Sequence, residues 1–112
     1  SSYPAPFEQS NLRTIPDLTE KFNVLAGLSD HTMGTVVATT SVALGACVIE
    51  KHFTLDKGME GWDHKVSATK DEMIGIVNGA KRINDALGSF RISAPESDEK
   101  KAEFRRSIVL TR

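Results

Sequence analysis

The sequence predicts an α/β fold built from successive strand–helix units. Two short apolar runs, residues 24–28 and 46–49, have the composition of strands that are covered on both faces. Each run is followed by a polar cluster with one histidine, His31 or His52, and a helix-like segment separates the two clusters. The histidines are 21 residues apart, which is about the length of one strand–helix–strand step in a parallel sheet.

The segment before the first strand is predicted to hold a loop and a helix. Two prolines within residues 3–8 favour a loop, because proline fixes φ and lacks a backbone donor. Residues 14–22 have apolar side chains at spacings of three and four, which predicts a helix with one buried stripe. We expect Thr14 to cap this helix and Asn23 to end it.

A second helix is predicted between the two strands, over residues 34–44. Its apolar side chains are small or branched, which suits close packing on a sheet. Thr32 is the expected N-terminal cap, and Gly45 is placed to close the helix in the left-handed conformation.

The second strand is predicted to lead into a charged loop and the longest helix. Residues 54–67 hold two glycines and many charges, which indicates an ordered functional loop. Thr69 and Glu72 have the capping-box spacing that begins a helix, and Gly88 is expected to end it. Beyond it we expect a linker, a short charged helix and a possible strand, over residues 89–95, 97–106 and 108–110.

This order of elements fits the closing part of a βα repeat. Periodicity does not distinguish a (β/α)₈ barrel from an open doubly wound sheet, although no glycine-rich nucleotide fingerprint follows either strand, which disfavours the open sheet. With three strand-sized segments at most, a parallel sheet would keep open edges. Together with a loop-like start at Ser1, this predicts a fragment of a larger protein.

Composition and charge argue against several classes of partner. The 112 residues include 14 Lys and Arg and 15 Asp and Glu, so the net charge is −1. Binding to nucleic acid or to an anionic membrane needs a basic surface, which this balance does not indicate. No apolar run approaches the ~20 residues of a membrane span, and a single cysteine cannot form an internal disulfide. We therefore expect a cytoplasmic protein.

His31 and His52 are the main candidates for chemistry. Side chains at the carboxyl ends of neighbouring parallel strands face one crevice, so we expect the two rings to face each other around a metal ion. A lone histidine there is usually only hydrogen-bonded, but two at successive strand ends favour ligands of a catalytic divalent ion. Asp30 and Glu50 could orient the rings, although Asp30, adjacent to His31, should point to the opposite face.

Four other residues carry weaker signals. Asp63, in the loop after the second strand, could accept hydrogen bonds from sugar hydroxyls or simply belong to a solvated turn. Trp62 could be a packing plug, which is the favoured interpretation, or a face for a sugar. Tyr3 could donate to an anionic ligand or only pack. Cys47 is most simply an inert small hydrophobe within a buried run.

At these residues the chain resembles the sialic acid synthases. The matching stretches are Tyr3-Pro4-Ala5-Pro6-Phe7-Glu8, Gly27-Leu28-Ser29-Asp30-His31, Val42-Ala43-Leu44-Gly45-Ala46, Glu50-Lys51-His52-Phe53-Thr54-Leu55-Asp56, Asp63-His64-Lys65 and Arg105-Arg106-Ser107. They occur in order and at family spacing over nearly the whole chain. The two motifs that carry His31 and His52 are the most specific of them.

The resemblance implies the closing βα units of a (β/α)₈ TIM-type barrel. The family condenses phosphoenolpyruvate with an N-acetylmannosamine-type sugar and releases phosphate, and we expect a homodimer when full length. Residues 1–88 would be the last βα units, and residues 89–112 the linker and the start of a connection to an antifreeze-like domain. Enzymes that make legionaminic or pseudaminic acid share these motifs, so the sugar stays open. Charged residues of the first five strands are absent, so the isolated chain should be inactive.

The resemblance also implies roles for single residues. The positions of His31 and His52 bind a divalent metal, commonly Mn²⁺ or Mg²⁺, that polarises the sugar's aldehyde for attack by phosphoenolpyruvate. Tyr3 and Ser29 match positions near phosphoenolpyruvate, and Asp63 matches a residue that holds the sugar. His31, His52 and Asp63 are therefore the expected catalytic residues. The rival interpretations are a non-catalytic, self-associating assembly piece and a different metal-dependent barrel enzyme.

Overall fold

The structure, a computed structural model, describes residues 3–90. Its elements in chain order are a 3-10 turn (Phe7–Gln9), α1 (Thr14–Phe22), β1 (Leu28–Asp30), α2 (Val36–Ala43), β2 (Ile49–Lys51) and α3 (Lys70–Leu87). This alternation confirms the predicted order of strands and helices. The helix and strand expected over residues 97–106 and 108–110 lie outside the described residues. Within residues 3–90, no helix is long and apolar enough to cross a membrane.

β1 and β2 form a parallel pair joined by α2. Leu28 pairs with Ile49, Ser29 with Glu50 and Asp30 with Lys51. Two backbone bonds extend the pairing upstream, because Leu28 N donates to Val48 O and Cys47 N donates to Ala26 O, each at 2.9 Å. The parallel α/β arrangement predicted from the two apolar runs is therefore confirmed for this part of the chain.

The first strand lies further along the chain than predicted. The apolar run covers residues 24–28, but the regular strand is β1, at the end of that run. Val24 and Leu25 are 50% and 86% exposed, so the expectation of a strand covered on both faces is wrong for them. Apolar composition reports which residues favour burial, whereas a strand begins where a partner backbone is available, and in residues 3–90 that is at Ala26.

The helix ends show which local signals specify structure. Asn23 ends α1 in the left-handed conformation (φ 52°, ψ 47°), as predicted, but Arg13 rather than Thr14 precedes the helix and no side chain caps it. The capping box of α3 is confirmed, because Thr69 Oγ1 accepts from Glu72 N at 3.3 Å and Glu72 accepts from Thr69 N at 2.8 Å. α2 begins only at Val36, since the Thr32 hydroxyl is bonded elsewhere and does not cap it.

α2 packs closely on α3 and also contacts β1. A Cβ on Gly79 of α3 would lie 2.8 Å from Cγ2 of Thr39, so this helix pair needs a glycine at that position. Buried side chains of both helices, Val37, Ala38 and Ile76, form much of the small core. The opposite face of the strand pair is open, because Ser29 and Glu50 are exposed. Cys47 is exposed as well, so its predicted burial is wrong.

Candidate active site at the ends of the two strands

The strand register places both histidines on the open side of the sheet. Alternate residues of a strand point to opposite faces, so His31 and His52 continue the faces of Ser29 and Glu50. Asp30 precedes His31 and Lys51 precedes His52, so both side chains point to the opposite face, toward the helices, and are buried there. The pairing thus brings two imidazoles to one edge of the sheet from positions 21 residues apart.

Tyr3, His31 and His52 form a compact group that we call the Tyr–His cluster. The ring centroids of the two histidines are 5.4 Å apart, and Tyr3 lies 4.6 Å from His31 and 5.5 Å from His52. The Tyr3 hydroxyl is within hydrogen-bond distance of His52 Nε2, at 3.2 Å. The structure therefore brings together three of the residues that the sequence singled out.

Backbone hydrogen bonds hold both histidines from outside their strands. Ala5 N donates to His31 O at 2.9 Å, which attaches the segment that carries Tyr3 to the end of β1. Ala68 N donates to His52 O at 2.7 Å, which attaches the chain just before α3 to the end of β2. Each ring therefore extends from a backbone position that is fixed on two sides.

A buried ion pair lies directly behind the Tyr–His cluster. Lys51 Nζ is 2.7 Å from Asp30 Oδ2, and the two side chains are 2% and 1% exposed. Lys51 Nζ also donates to Thr32 O at 2.6 Å, while Asp30 Oδ1 accepts from Thr32 N at 2.9 Å and from Thr32 Oγ1 at 2.8 Å. Both carboxylate oxygens are thus engaged away from His31.

The expectation that Asp30 orients a histidine is therefore wrong. The reason is the strand alternation that made Asp30 a difficult candidate, since it turns the carboxylate toward the helices. Lys51 stands in the motif that carries His52, but no role was predicted for it. A signal was available, because opposite charges ending two adjacent buried strands can pair once the strands are in register.

The charged loop over residues 54–67 is ordered around a buried threonine. Thr54 Oγ1 lies 2.8 Å from Nδ1 of His64 and donates to Asp56 O at 2.9 Å. Asp63 contributes its backbone, since its carbonyl accepts from Ser67 N at 3.0 Å and from Ser67 Oγ at 2.6 Å. The Asp63 carboxylate is exposed, and within residues 3–90 no hydrogen bond or ion pair joins it to the Tyr–His cluster.

Trp62 does not plug this loop. Its side chain is 97% exposed, so the favoured interpretation of a packing residue is wrong. Thr54 and His64 organise the loop instead, through hydrogen bonds that need no large apolar side chain. The indole of Trp62 is therefore available to a ligand or a partner.

The two histidines suit a shared divalent ion as two of its ligands. An ion about 2.1 Å from a nitrogen of each ring would lie about 3.2 Å from each ring centre, so ring centres 5.4 Å apart are close enough to share one ion. No group of three or more His, Cys, Asp or Glu that could hold a metal occurs within residues 3–90. The described residues thus supply two candidate ligands, His31 and His52, and no third one.

Comparison with known proteins places these features in a family. The model of the NeuB family matches residues 1–91. An uncharacterized protein of Methanocaldococcus jannaschii is 50% identical over all of this chain and 34% of its own length. The N,N'-diacetyllegionaminic acid synthase of Campylobacter jejuni is 43% identical over 97% of this chain and 33% of its own length. The chain thus spans about a third of these relatives.

A solved structure agrees in fold. The N-acetylneuraminic acid (sialic acid) synthetase of Leptospira borgpetersenii, in complex with citrate, superposes with a TM-score of 0.80 and 35% sequence identity. The match covers 94% of this chain and 37% of that one.

Proposed function

This chain belongs to the NeuB family, and from that membership we propose that it carries the closing βα units of a (β/α)₈-barrel synthase. The whole protein would condense phosphoenolpyruvate with an N-acetylated amino sugar and release phosphate. The observation that supports this most directly is the Tyr–His cluster, which gathers at the carboxyl ends of parallel strands. Barrel enzymes place their active sites at this face.

His31 and His52 are the proposed ligands of a divalent ion, Mn²⁺ or Mg²⁺. When bound, the ion supplies Lewis-acid polarisation of the sugar's aldehyde. The contribution of the chain is to hold both rings at one side of the sheet before any ligand arrives, through the strand register and the two backbone bonds at His31 O and His52 O.

Tyr3 and Ser29 are proposed to bind phosphoenolpyruvate. Both hydroxyls can donate to an anion, and both lie on the side of the sheet that holds the histidines. The Tyr3 hydroxyl faces His52 Nε2 in this structure, so we expect binding of the anion to redirect it.

Asp63 is proposed to hold the sugar. Its carboxylate is exposed, accepts hydrogen bonds only, and follows the strand that carries His52. The relatives are named for legionaminic and sialic acids, so we propose an N-acetylated amino sugar of the sialic, legionaminic or pseudaminic type. We also propose that the full-length protein is a cytoplasmic homodimer.

Metal binding can be tested on the 112-residue chain itself. In a Mn²⁺ titration followed by NMR, the imidazole signals of His31 and His52 should broaden first. His64 is an internal control, because its Nδ1 is held by Thr54 within the loop. Equal broadening of all three histidines, or unchanged binding after His31→Ala and His52→Ala, would contradict the assignment.

The reaction can be tested in a chimera. These 112 residues would replace the aligned third of the C. jejuni synthase, and phosphate release would be measured with phosphoenolpyruvate and several N-acetylated sugars. We expect release that depends on both substrates and that falls at least about 100-fold on His31→Ala or His52→Ala. A chimera that folds but releases no phosphate with any sugar would favour a different barrel enzyme.

A second candidate, self-association of this chain, is favoured by its exposed apolar surface. Leu25, Val48 and Phe53 are all more than half exposed around the two strands, and within residues 3–90 each strand pairs on one side only. Unpaired strand edges promote association with other chains. Light scattering decides this, because a stable monomer at high concentration would contradict it.

A further inference from the structure

We propose that the Lys51–Asp30 ion pair positions the two histidine-bearing strand ends, so that both residues are positioning residues for the site at His31 and His52. This inference rests on the proposed function for the identity of that site. Neither side chain touches the open face where ligands would bind, so neither is proposed to contact substrate.

The first argument is where the ion pair attaches. Asp30 and Lys51 are register partners, and each is the residue directly before a histidine. Lys51 Nζ contacts Asp30 Oδ2 at 2.7 Å and Thr32 O at 2.6 Å, so one ammonium group holds the residues on both sides of His31. The same lysine is bonded through its backbone to His52. Displacement of either strand end would therefore break these contacts.

The second argument concerns what a buried ion pair contributes. Taking two charges out of water offsets most of their attraction, so such a pair is weak support for stability and better suited to specifying one arrangement. Here the alternative arrangements are damaging, because a shift of one residue in β2 would turn His52 to the opposite face. The regular strands are only three residues each, and the two backbone bonds that extend the pairing lie upstream, so the ion pair is the side-chain contact that joins the two strands at their carboxyl ends.

The third argument excludes a reactive role for Lys51. A lysine that forms a covalent intermediate needs access to the substrate, but this ammonium is 2% exposed and engaged by two acceptors. It also points away from the Tyr–His cluster.

The test replaces the pair by neutral side chains of similar shape, Asp30→Asn with Lys51→Met. Asparagine keeps an oxygen for the two Thr32 donors, so the double change removes the two bonds that the Lys51 ammonium makes, to Asp30 Oδ2 and to Thr32 O. The matched control is Lys57→Met with Glu72→Gln, which removes another lysine–carboxylate pair, at 2.9 Å and with 31% and 29% exposure, that joins the charged loop to α3.

The first measurement uses the metal-free chain. Wild type and control should show nuclear Overhauser contacts from the Tyr3 ring to both imidazoles. In the variant with Asp30→Asn and Lys51→Met, called the neutral pair, these contacts should lose at least about two thirds of their intensity while the circular dichroism stays unchanged. The second measurement is Mn²⁺ affinity, which should fall about 10- to 100-fold in the neutral pair alone, as for other groups that orient metal ligands.

The two measurements decide whether the ion pair positions the strand ends. Retained Tyr3–histidine contacts in the neutral pair would overturn the inference. A neutral pair that does not fold would also overturn it, because the ion pair would then be required for folding rather than for positioning. If the wild-type chain binds no Mn²⁺, the proposed metal site fails, and the nuclear Overhauser result alone judges the inference.

Discussion

The hydroxyl of Tyr3 lies 3.2 Å from Nε2 of His52, which is 49 residues further along the chain. The same tyrosine ring packs against His31, at 4.6 Å between centroids. The segment before the first helix and the ends of both strands thus meet at one point, on the face where α/β barrels hold their active sites.

Tyr3→Phe should keep the packing against His31 and remove the hydrogen bond to His52. Because a partly exposed hydrogen bond contributes about 1 kcal/mol or less, we expect little change in the free energy of unfolding. The tautomer ratio of His52 should shift, since one ring nitrogen loses its partner. Ring ¹⁵N chemical shifts measure this, with His64 as the internal control. Unchanged His52 shifts would contradict the observed contact.

Gly79→Ala should destabilise the chain. The new Cβ would lie 2.8 Å from Thr39 Cγ2, and Thr39 cannot easily turn away because its hydroxyl donates to Thr35 O and Val36 O. Overpacking of this kind typically costs about 1–3 kcal/mol, partly offset by the better helix propensity of alanine.

The control for this prediction is in the same helix. At Gly75 a Cβ would lie 3.9 Å from its nearest neighbour, Thr35 Cγ2, which is an ordinary contact. Gly75→Ala should therefore stabilise by about 0.5–1 kcal/mol. Urea unfolding of both variants gives the comparison, and equal effects would show that the two helices do not approach as described.

Glu72 should make stability depend on pH in the acidic range. The side-chain hydrogen bond from Lys57, followed by the backbone hydrogen bond from Thr69, lowers the pKa of Glu72 below its ordinary value of 4.5. A carboxyl with a lowered pKa stabilises the folded chain fully above the unfolded pKa, and this contribution disappears as the pH falls through the folded pKa.

The measurement is the difference in unfolding free energy between wild type and Glu72→Gln across pH 3 to 7. Because the Lys57–Glu72 pair is about one third exposed, we expect this difference to change by no more than about 1 kcal/mol. It should shrink toward low pH. A difference that grows on acidification would contradict the lowered pKa.

Trp62→Ala should leave stability within about 0.5 kcal/mol of wild type, because the indole is 97% exposed. As the only tryptophan of the chain, Trp62 also reports its own environment by fluorescence. We expect emission typical of an indole in water and full access to acrylamide. Blue-shifted, protected emission would mean that the side chain is covered, by this chain or by another copy.

Local patterns in the sequence were sufficient for much of this fold. Apolar runs and helical periodicity predict the alternation of strands and helices, and the Thr69–Glu72 spacing predicts a capping box that the structure confirms. The approach of His31 and His52 was also foreseeable. All of these depend on residues close in the chain or on a general rule about the ends of parallel strands.

The partners of the charged and aromatic side chains could not be predicted from local sequence patterns. That Asp30 pairs with Lys51 instead of orienting His31, that Trp62 is exposed, and that pairing starts at Ala26 all depend on which backbone lies opposite which. Register is a relation between segments some 20 residues apart, and a shift of one residue reverses every side chain. The chain thus encodes its elements locally, whereas the surroundings of each functional group follow from how those elements meet.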